Sequence, residues 1–145
     1  MFNTDYETLF SIVGVLAFVG WGALAFSPLR PAFLILAARA VSVVLAIIYT
    51  TFLISLWGVE PEGNFSSLAG VAAGFSNMGN LLTGWIHFLA LDLFIGAWQV
   101  EKGRKVGLPH LLLLPCLALT FLYGPLGLLL FLAIQSIKQR SVVVS

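Results

Sequence analysis

Two ionisable side chains, His87 and Asp92, stand inside the otherwise apolar segment GWIHFLALDLFIGAW. Histidine exchanges protons near neutral pH and a carboxyl group can donate or accept one, so the two residues are candidates for acid–base catalysis. At 100° per residue, five helical positions separate the side chains by about 140°, which excludes a direct contact. The alternative for His87 is a neutral imidazole that hydrogen-bonds to a neighbouring helix.

Arg39 is another charge within apolar sequence. It lies about six residues into the second apolar stretch, and Asp92 lies about six before the end of the third, so both are expected about 9 Å from the same membrane boundary. Because an unpaired charge at membrane depth is costly, we expect Arg39 and Asp92 to face each other across a helix interface. Such a pair could orient a substrate or only hold two helices in register.

Other kinds of chemistry find less support in the sequence. The two histidines, His87 and His110, have no close helical spacing, so no metal site is predicted. Cys116, in LLLLPCLALT, is interpreted as a small buried apolar residue rather than a nucleophile. The seven Lys and Arg are scattered and the net charge is +1, so no nucleic-acid partner is expected.

These residues must be positioned by helices that lie in lipid. Hydrophobic residues make up 60% of the chain, charged residues only 9%, and the mean hydropathy is +1.05. A water-soluble domain carries about a quarter charged residues, because its surface faces water. The composition therefore predicts one all-α domain spanning 1–145, an integral membrane bundle in contact with membrane lipid.

Four stretches are long enough to cross a bilayer, for which about 20 apolar residues are needed. They run approximately over 8–26, 33–57, 80–98 and 108–137, and the loop 58–79 contains one short helix near 68–75. Trp98 lies at the end of the third stretch, where interfacial anchoring is the usual role of tryptophan, and Trp85, further inside the stretch, is a partial exception.

The fourth stretch is too long for a straight crossing, because 30 residues measure about 45 Å against a hydrocarbon core of about 30 Å. The sequence Tyr123-Gly124-Pro125-Leu126-Gly127 interrupts it, since proline removes a helical hydrogen bond and glycine eases backbone deformation. We expect either a kinked helix or a broken helix that lines a ligand pocket.

Lys and Arg in short loops predict orientation. Arg30, Lys102, Arg104 and Lys105 follow the first and third stretches, which places these connections in the cytoplasm and both termini outside it. Lys138 and Arg140 conflict with this arrangement, because four crossings put them on the opposite side. The N-terminal segment lacks the basic region of a signal peptide and a Ser- and Arg-rich transit segment, so a bacterial inner membrane is the expected location.

The segment GWIHFLALDLFIGAW, the following VEKGRKVGLPHLLLLPCLALTFLYGPLGLLL and the upstream SLAGVAAGFSN resemble the abscisic-acid-deficient-four-like family. This resemblance implies a four-helix membrane protein and, for the plant members, the conversion of violaxanthin into neoxanthin. It therefore implies a carotenoid or related isoprenoid as ligand.

Opening an epoxide to an allenic alcohol needs a proton donor and a base but no net oxidation, so no cofactor is expected. His87 and Asp92 are the catalytic candidates, and the candidates for ligand contact are Arg39, Trp85, Trp98, His110 and Tyr123. Two alternatives remain: a non-catalytic protein that binds a carotenoid or assists a pathway enzyme, and a small transporter, which at this size would need to form a homo-oligomer.

Overall fold

The computed structural model describes residues 2–56 and 63–144, and the side chains of 5–56 and 63–141. Within these ranges the chain forms six α-helices and one short 3-10 turn: α1 (Phe2–Ala25), the turn Ser27–Leu29, α2 (Pro31–Leu56), α3 (Leu68–Phe75), α4 (Met78–Lys105), α5 (His110–Tyr123) and α6 (Pro125–Val144). The predicted all-α class is confirmed. Three of these helices are long and apolar enough to cross a membrane, namely α1, α2 and α4.

The first two helices form an antiparallel hairpin. Pro28 lies in the 3-10 turn and Pro31 begins α2, where a missing N–H removes no helical hydrogen bond. The amide of Leu34 donates to the carbonyl of Arg30 at 2.9 Å, which closes the first turn of α2. The predicted end of this helix at Trp57 lies outside the described residues.

The third long helix extends further than expected. α4 begins at Met78, where the Asn77 side chain caps it, and continues through the basic segment to Lys105 rather than ending near Trp98. Gly103 packs against Leu113 of α5, so this extra part of the helix is held by tertiary contact. The short helix α3 occupies 68–75, where the sequence indicated one.

α4 lies at the centre of the bundle and packs against α1, α2 and α5. Its small and aliphatic side chains, among them Ala90, Leu93 and Ala97, are buried against Val13 and Ala17 of α1. Glycines and alanines allow the helices to approach closely, which is the usual basis of helix association in lipid. The neighbouring helix that each candidate side chain on α4 faces therefore depends on its angular position around α4.

The fourth apolar stretch is divided into two helices that fold back on each other. Gly124 has φ of +47°, a conformation that L side chains rarely adopt, and it separates α5 from α6. Gly127 lies against the backbone of Thr120 and its ideal Cβ position is 2.6 Å from the carbonyl of Cys116, so α6 packs directly on α5. The last stretch is thus broken, and the alternative of one kinked helix is wrong. The ligand pocket expected beside the break is not confirmed, because α5 and α6 line neither the cavity of about 570 Å³ nor the cavity of about 280 Å³.

A cluster of apolar side chains holds α6 against α4 and the start of α5. Phe131 is fully buried, and its ring centroid lies 5.2 Å from that of Trp98 on α4. Leu108 and Leu113, near the start of α5, belong to the same cluster. A residue of α6 reaches the start of α5 only if the two helices run antiparallel.

Candidate functional site

A cavity of about 570 Å³ lies between the C-terminal part of α2 and the N-terminal part of α4, beneath α3. Its size is typical of ligand pockets, which run from about 300 to 1,000 Å³. We call it the His87 cavity. It is lined by Tyr49, Leu53, Leu56, Gly63, Asn64, Phe65, Gly70, Val71, Gly74, Phe75, Asn80, Thr83, Gly84, His87 and Phe88.

Helix capping holds α3 over the cavity. The Ser67 hydroxyl accepts a hydrogen bond from the amide of Gly70 at 3.0 Å, which starts α3. The Asn77 side chain accepts from the amides of Gly79 and Asn80, which starts α4. The side-chain Nδ2 of Asn80 in turn donates to the carbonyl of Gly74 at 3.1 Å. The end of α3 is therefore tied to the beginning of α4.

His87 lies in the wall of the cavity within a cluster of rings. Its centroid is 5.4 Å from that of Tyr49 on α2 and 5.8 Å from that of Phe88, both in edge-to-face geometry. Neither the His87 ring nitrogens nor the Tyr49 hydroxyl has a hydrogen-bond partner within the described residues. Both groups can therefore bond to a ligand.

The other polar side chains of the cavity, Asn64, Asn80 and Thr83, each make at least one hydrogen bond within the protein. The Thr83 hydroxyl donates to the carbonyl of Gly79 at 2.8 Å. The Asn64 side-chain oxygen accepts from the amide of Ser66 at 3.0 Å. A ligand thus meets a mostly apolar wall, with an imidazole and a phenol as its available polar groups.

Asp92 lies outside the His87 cavity. It is half-buried, and its Oδ1 is 2.9 Å from the position that a Cβ at Gly124 would occupy. The carboxyl group thus faces the turn between α5 and α6. His87 and Asp92 occupy different faces of α4, as the 140° separation predicted, and the structure does not bring them together as a catalytic pair.

Arg39 does not meet Asp92, so the predicted pair is wrong. Arg39 forms an ion pair with Glu101, which also binds Lys105 at 2.9 Å. Nine positions separate Asp92 from Glu101, or about half a turn around the helix, so the two acids point in opposite directions. Only Glu101, on the α2 side of α4 and about 13 Å further along the helix than Asp92, reaches Arg39.

Comparison with known protein families adds a separate observation. The family model described as ABA DEFICIENT 4-like matches residues 8–131. The chain belongs to the ABA DEFICIENT 4-like family. No curated protein and no solved structure matches the chain. The resemblance drawn from the GWIHFLALDLFIGAW and GPLG segments is thereby confirmed, and the matched range of this ABA DEFICIENT 4-like chain includes both the His87 cavity and the Gly124 turn.

The remaining candidates of this ABA DEFICIENT 4-like protein are dispersed. Trp85 packs on Phe10, with ring centroids 5.9 Å apart, and lines a separate cavity of about 280 Å³. Trp98 packs on Phe131. Tyr123 precedes the Gly124 turn and is exposed. None of these three aromatic residues lines the His87 cavity.

His110 binds the end of a neighbouring helix. Its Nε2 lies 2.8 Å from the carbonyl oxygen of Ala25, the last residue of α1, so the ring donates a hydrogen bond there. This contact satisfies a carbonyl group that has no partner within its own helix. His110 thus connects the start of α5 to the end of α1. It does not line the His87 cavity.

Sequence reasoning missed Tyr49. It is the one tyrosine of the second apolar stretch, among aliphatic residues, and that isolation was an available signal. The pairing of Tyr49 with His87 could not be derived, because it depends on the rotation of α2 against α4. No group of three His, Cys, Asp or Glu side chains in the described ranges could hold a metal ion.

Proposed function

We propose that the His87 cavity binds the cyclic end of a carotenoid or related isoprenoid and that His87 catalyses its isomerisation by acid–base chemistry. The observation that carries the proposal is an imidazole with no hydrogen-bond partner among the described residues, in the wall of a mostly apolar cavity. Family membership supports the same ligand class, because the family includes neoxanthin-synthase-like proteins.

Tyr49 replaces Asp92 in this proposal as the second protic group. In the opening of an epoxide to an allenic alcohol, one group gives a proton to the epoxide oxygen as the C–O bond breaks. Another group removes a proton from the adjacent carbon, and the electrons of that C–H bond form the new double bond. Substrate and product have the same atoms, so the reaction needs no oxidant or reductant.

The size of the cavity supports the binding of one end of the ligand. A carotenoid is about as long as the hydrocarbon core is thick, about 30 Å. The His87 cavity adjoins only the N-terminal part of α4, so the polyene must continue between helices or into lipid. Non-catalytic binding of the same end group is the second candidate function, since the cavity walls are mostly apolar.

Pigment analysis in a carotenoid-producing host tests the proposal. Expression of the wild-type chain should give a new isomer of an epoxy-carotenoid, and His87→Gln should lower its amount about 100-fold or more, because glutamine cannot exchange the proton. Leu91→Ala, one turn further along α4 and outside the cavity, is the matched control and should keep the product.

The same samples decide between the candidate functions. Pigment that co-purifies with the wild type but is unchanged in structure supports binding without catalysis. A product that persists in His87→Gln contradicts the assigned role of the imidazole. If neither product nor bound pigment appears, the carotenoid proposal fails.

A further inference from the structure

The turn at Gly124 reaches only the middle of the bundle. It meets Asp92, which lies between Met78 and Lys105 with about 20 Å of helix on either side at 1.5 Å per residue. α5 has 14 residues and is therefore about 21 Å long, short of the roughly 30 Å hydrocarbon core. α5 alone is too short to cross the hydrocarbon core.

α6 carries the chain back to the level at which α5 began. From Pro125 to Lys138 the helix rises about 20 Å, which equals the length of α5. The contacts of Phe131 with Trp98, and of Ile134 with the cluster around Leu108, follow this return. Lys138 and Arg140 therefore lie at the same end of the bundle as Lys105.

This arrangement collects the positive charge at one end. The seven Lys and Arg of the chain are Arg30, Arg39, Lys102, Arg104, Lys105, Lys138 and Arg140. With α5 and α6 folded back, all seven lie at or near the end where α1 and α4 finish and α2 begins, which we call the basic end. The acidic residues Asp5 and Glu7 lie at the start of α1, at the opposite end.

Hydrogen bonds within the protein satisfy part of the polar backbone of the turn. The amide of Gly124 donates to the carbonyl of Thr120 at 2.9 Å, and the amide of Gly127 donates to the carbonyl of Gly124 at 3.1 Å. Beside the turn, the buried Gln99 side chain donates to the Thr120 hydroxyl at 3.0 Å. Non-helical backbone at membrane depth requires this kind of burial.

We propose that α5 and α6 form a re-entrant hairpin that enters and leaves the membrane from the cytoplasmic side, so that the chain crosses the membrane three times. Positive charge marks the cytoplasmic face, so the basic end faces the cytoplasm. The His87 cavity, at the opposite end, opens to the non-cytoplasmic leaflet. The next step rests on the proposed function: because the cavity opens to that leaflet, its ligand is an isoprenoid whose cyclic end group lies there.

Labelling of single cysteines with a membrane-impermeant maleimide tests this topology without any pigment. In a Cys116→Ala background, Phe65→Cys reports on the cavity end, Leu29→Cys on the basic end, and Ser141→Cys on the end of α6. All three positions are exposed. In intact bacterial cells we expect Phe65→Cys alone to react, and the other two to react only after permeabilisation.

Each other result overturns part of the proposal. If Ser141→Cys reacts in intact cells together with Phe65→Cys, α6 ends on the outer side and the hairpin is excluded. If Leu29→Cys and Ser141→Cys react and Phe65→Cys does not, the orientation is inverted and the cavity opens to the cytoplasm. A green fluorescent protein fused after Ser145 of the unmodified chain provides a second measurement, and absence of fluorescence contradicts a cytoplasmic end. Because labelling needs no ligand, a failure of the carotenoid proposal leaves these results interpretable.

Discussion

At the scale of single residues, the partners of each polar side chain separate candidates that the sequence treated alike. His110 and Arg39 are occupied by Ala25 and Glu101, whereas His87 and Tyr49 are available to a ligand. A polar group that lacks a partner in an apolar cavity loses solvation without compensation, so a ligand that supplies the hydrogen bond gains affinity there.

Tyr49→Phe isolates the contribution of the phenol. Phenylalanine keeps the ring that packs against His87 and removes only the hydroxyl, so the fold should be unaffected. Loss of one hydrogen bond to the ligand is worth about 0.5–1.5 kcal/mol, which corresponds to a decrease in product of roughly 2- to 10-fold. Pigment analysis beside His87→Gln measures it, and a Tyr49→Phe variant with wild-type product shows that the hydroxyl does not contact the ligand.

The sequence predicted which residues are unusual but not which of them meet. Arg39 was paired with Asp92 because the third helix was expected to end near Trp98, whereas it pairs with Glu101. Glu101 then counted as a loop residue and was not considered. The error has a physical cause: VEKGRK contains good helix formers, and the packing of Gly103 on Leu113 stabilises them as a continuation of α4.

At the scale of helices, the α5–α6 hairpin depends on two glycines with different roles. Gly124 provides the backbone conformation of the turn, and Gly127 provides the close approach of α6 to α5. The sequence identified this segment as a break, because Gly-Pro interrupts any helix. It did not distinguish a kink from a reversal, since both need the same residues and the choice depends on what the next helix packs against.

Gly127→Ala should destabilise the protein. The added methyl group would overlap the backbone of Thr120, which cannot move as a flexible side chain could, so the two helices must separate. Overpacking of this kind costs about 1–3 kcal/mol. Thermal unfolding in detergent should show a lower Tm for Gly127→Ala. In contrast, Gly22→Ala should leave the Tm nearly unchanged, because nothing lies within 4 Å of a methyl group there. Equal Tm values for the two variants would show that the contact between α5 and α6 is loose.

Phe131→Ala tests the other contact that holds α6. The side chain is fully buried between Trp98 and the start of α5, and removal of a buried phenylalanine side chain costs about 3–5 kcal/mol. Leu129→Ala is the matched control on the same helix, since Leu129 is 64% exposed. Unfolding in detergent should give a much larger decrease in Tm for Phe131→Ala. A similar small decrease for both variants contradicts the packing of α6 on α4.

At the scale of the whole molecule, the distribution of charge and the path of the chain are consistent with each other. Four crossings left Lys138 and Arg140 on the side opposite to the other basic residues, and the hairpin removes that conflict. Charge counting alone could not choose between these arrangements, because the number of crossings depends on the reversal at Gly124.

Neutralising the two distal charges distinguishes the arrangements. In the three-crossing topology, Lys138 and Arg140 help to retain the basic end in the cytoplasm, so Lys138→Gln with Arg140→Gln should slightly lower the fraction of correctly oriented chains. The fraction of Phe65→Cys that is labelled in intact cells measures this. An increase in that fraction is the result expected from four crossings, in which these charges oppose the orientation set by the loops.

A hairpin that stops at the bilayer midplane gives the molecule unequal cross-sections in the two leaflets. Five helical segments, α1, α2, α4, α5 and α6, fill the leaflet of the basic end, whereas three long helices and the short α3 fill the other. In the proposed topology the protein is wedge-shaped, and acyl chains occupy the volume above the tip of the hairpin. That volume adjoins the N-terminal half of α4, so the polyene of the proposed ligand would have room there, without displacing a helix, when its ring binds beside His87.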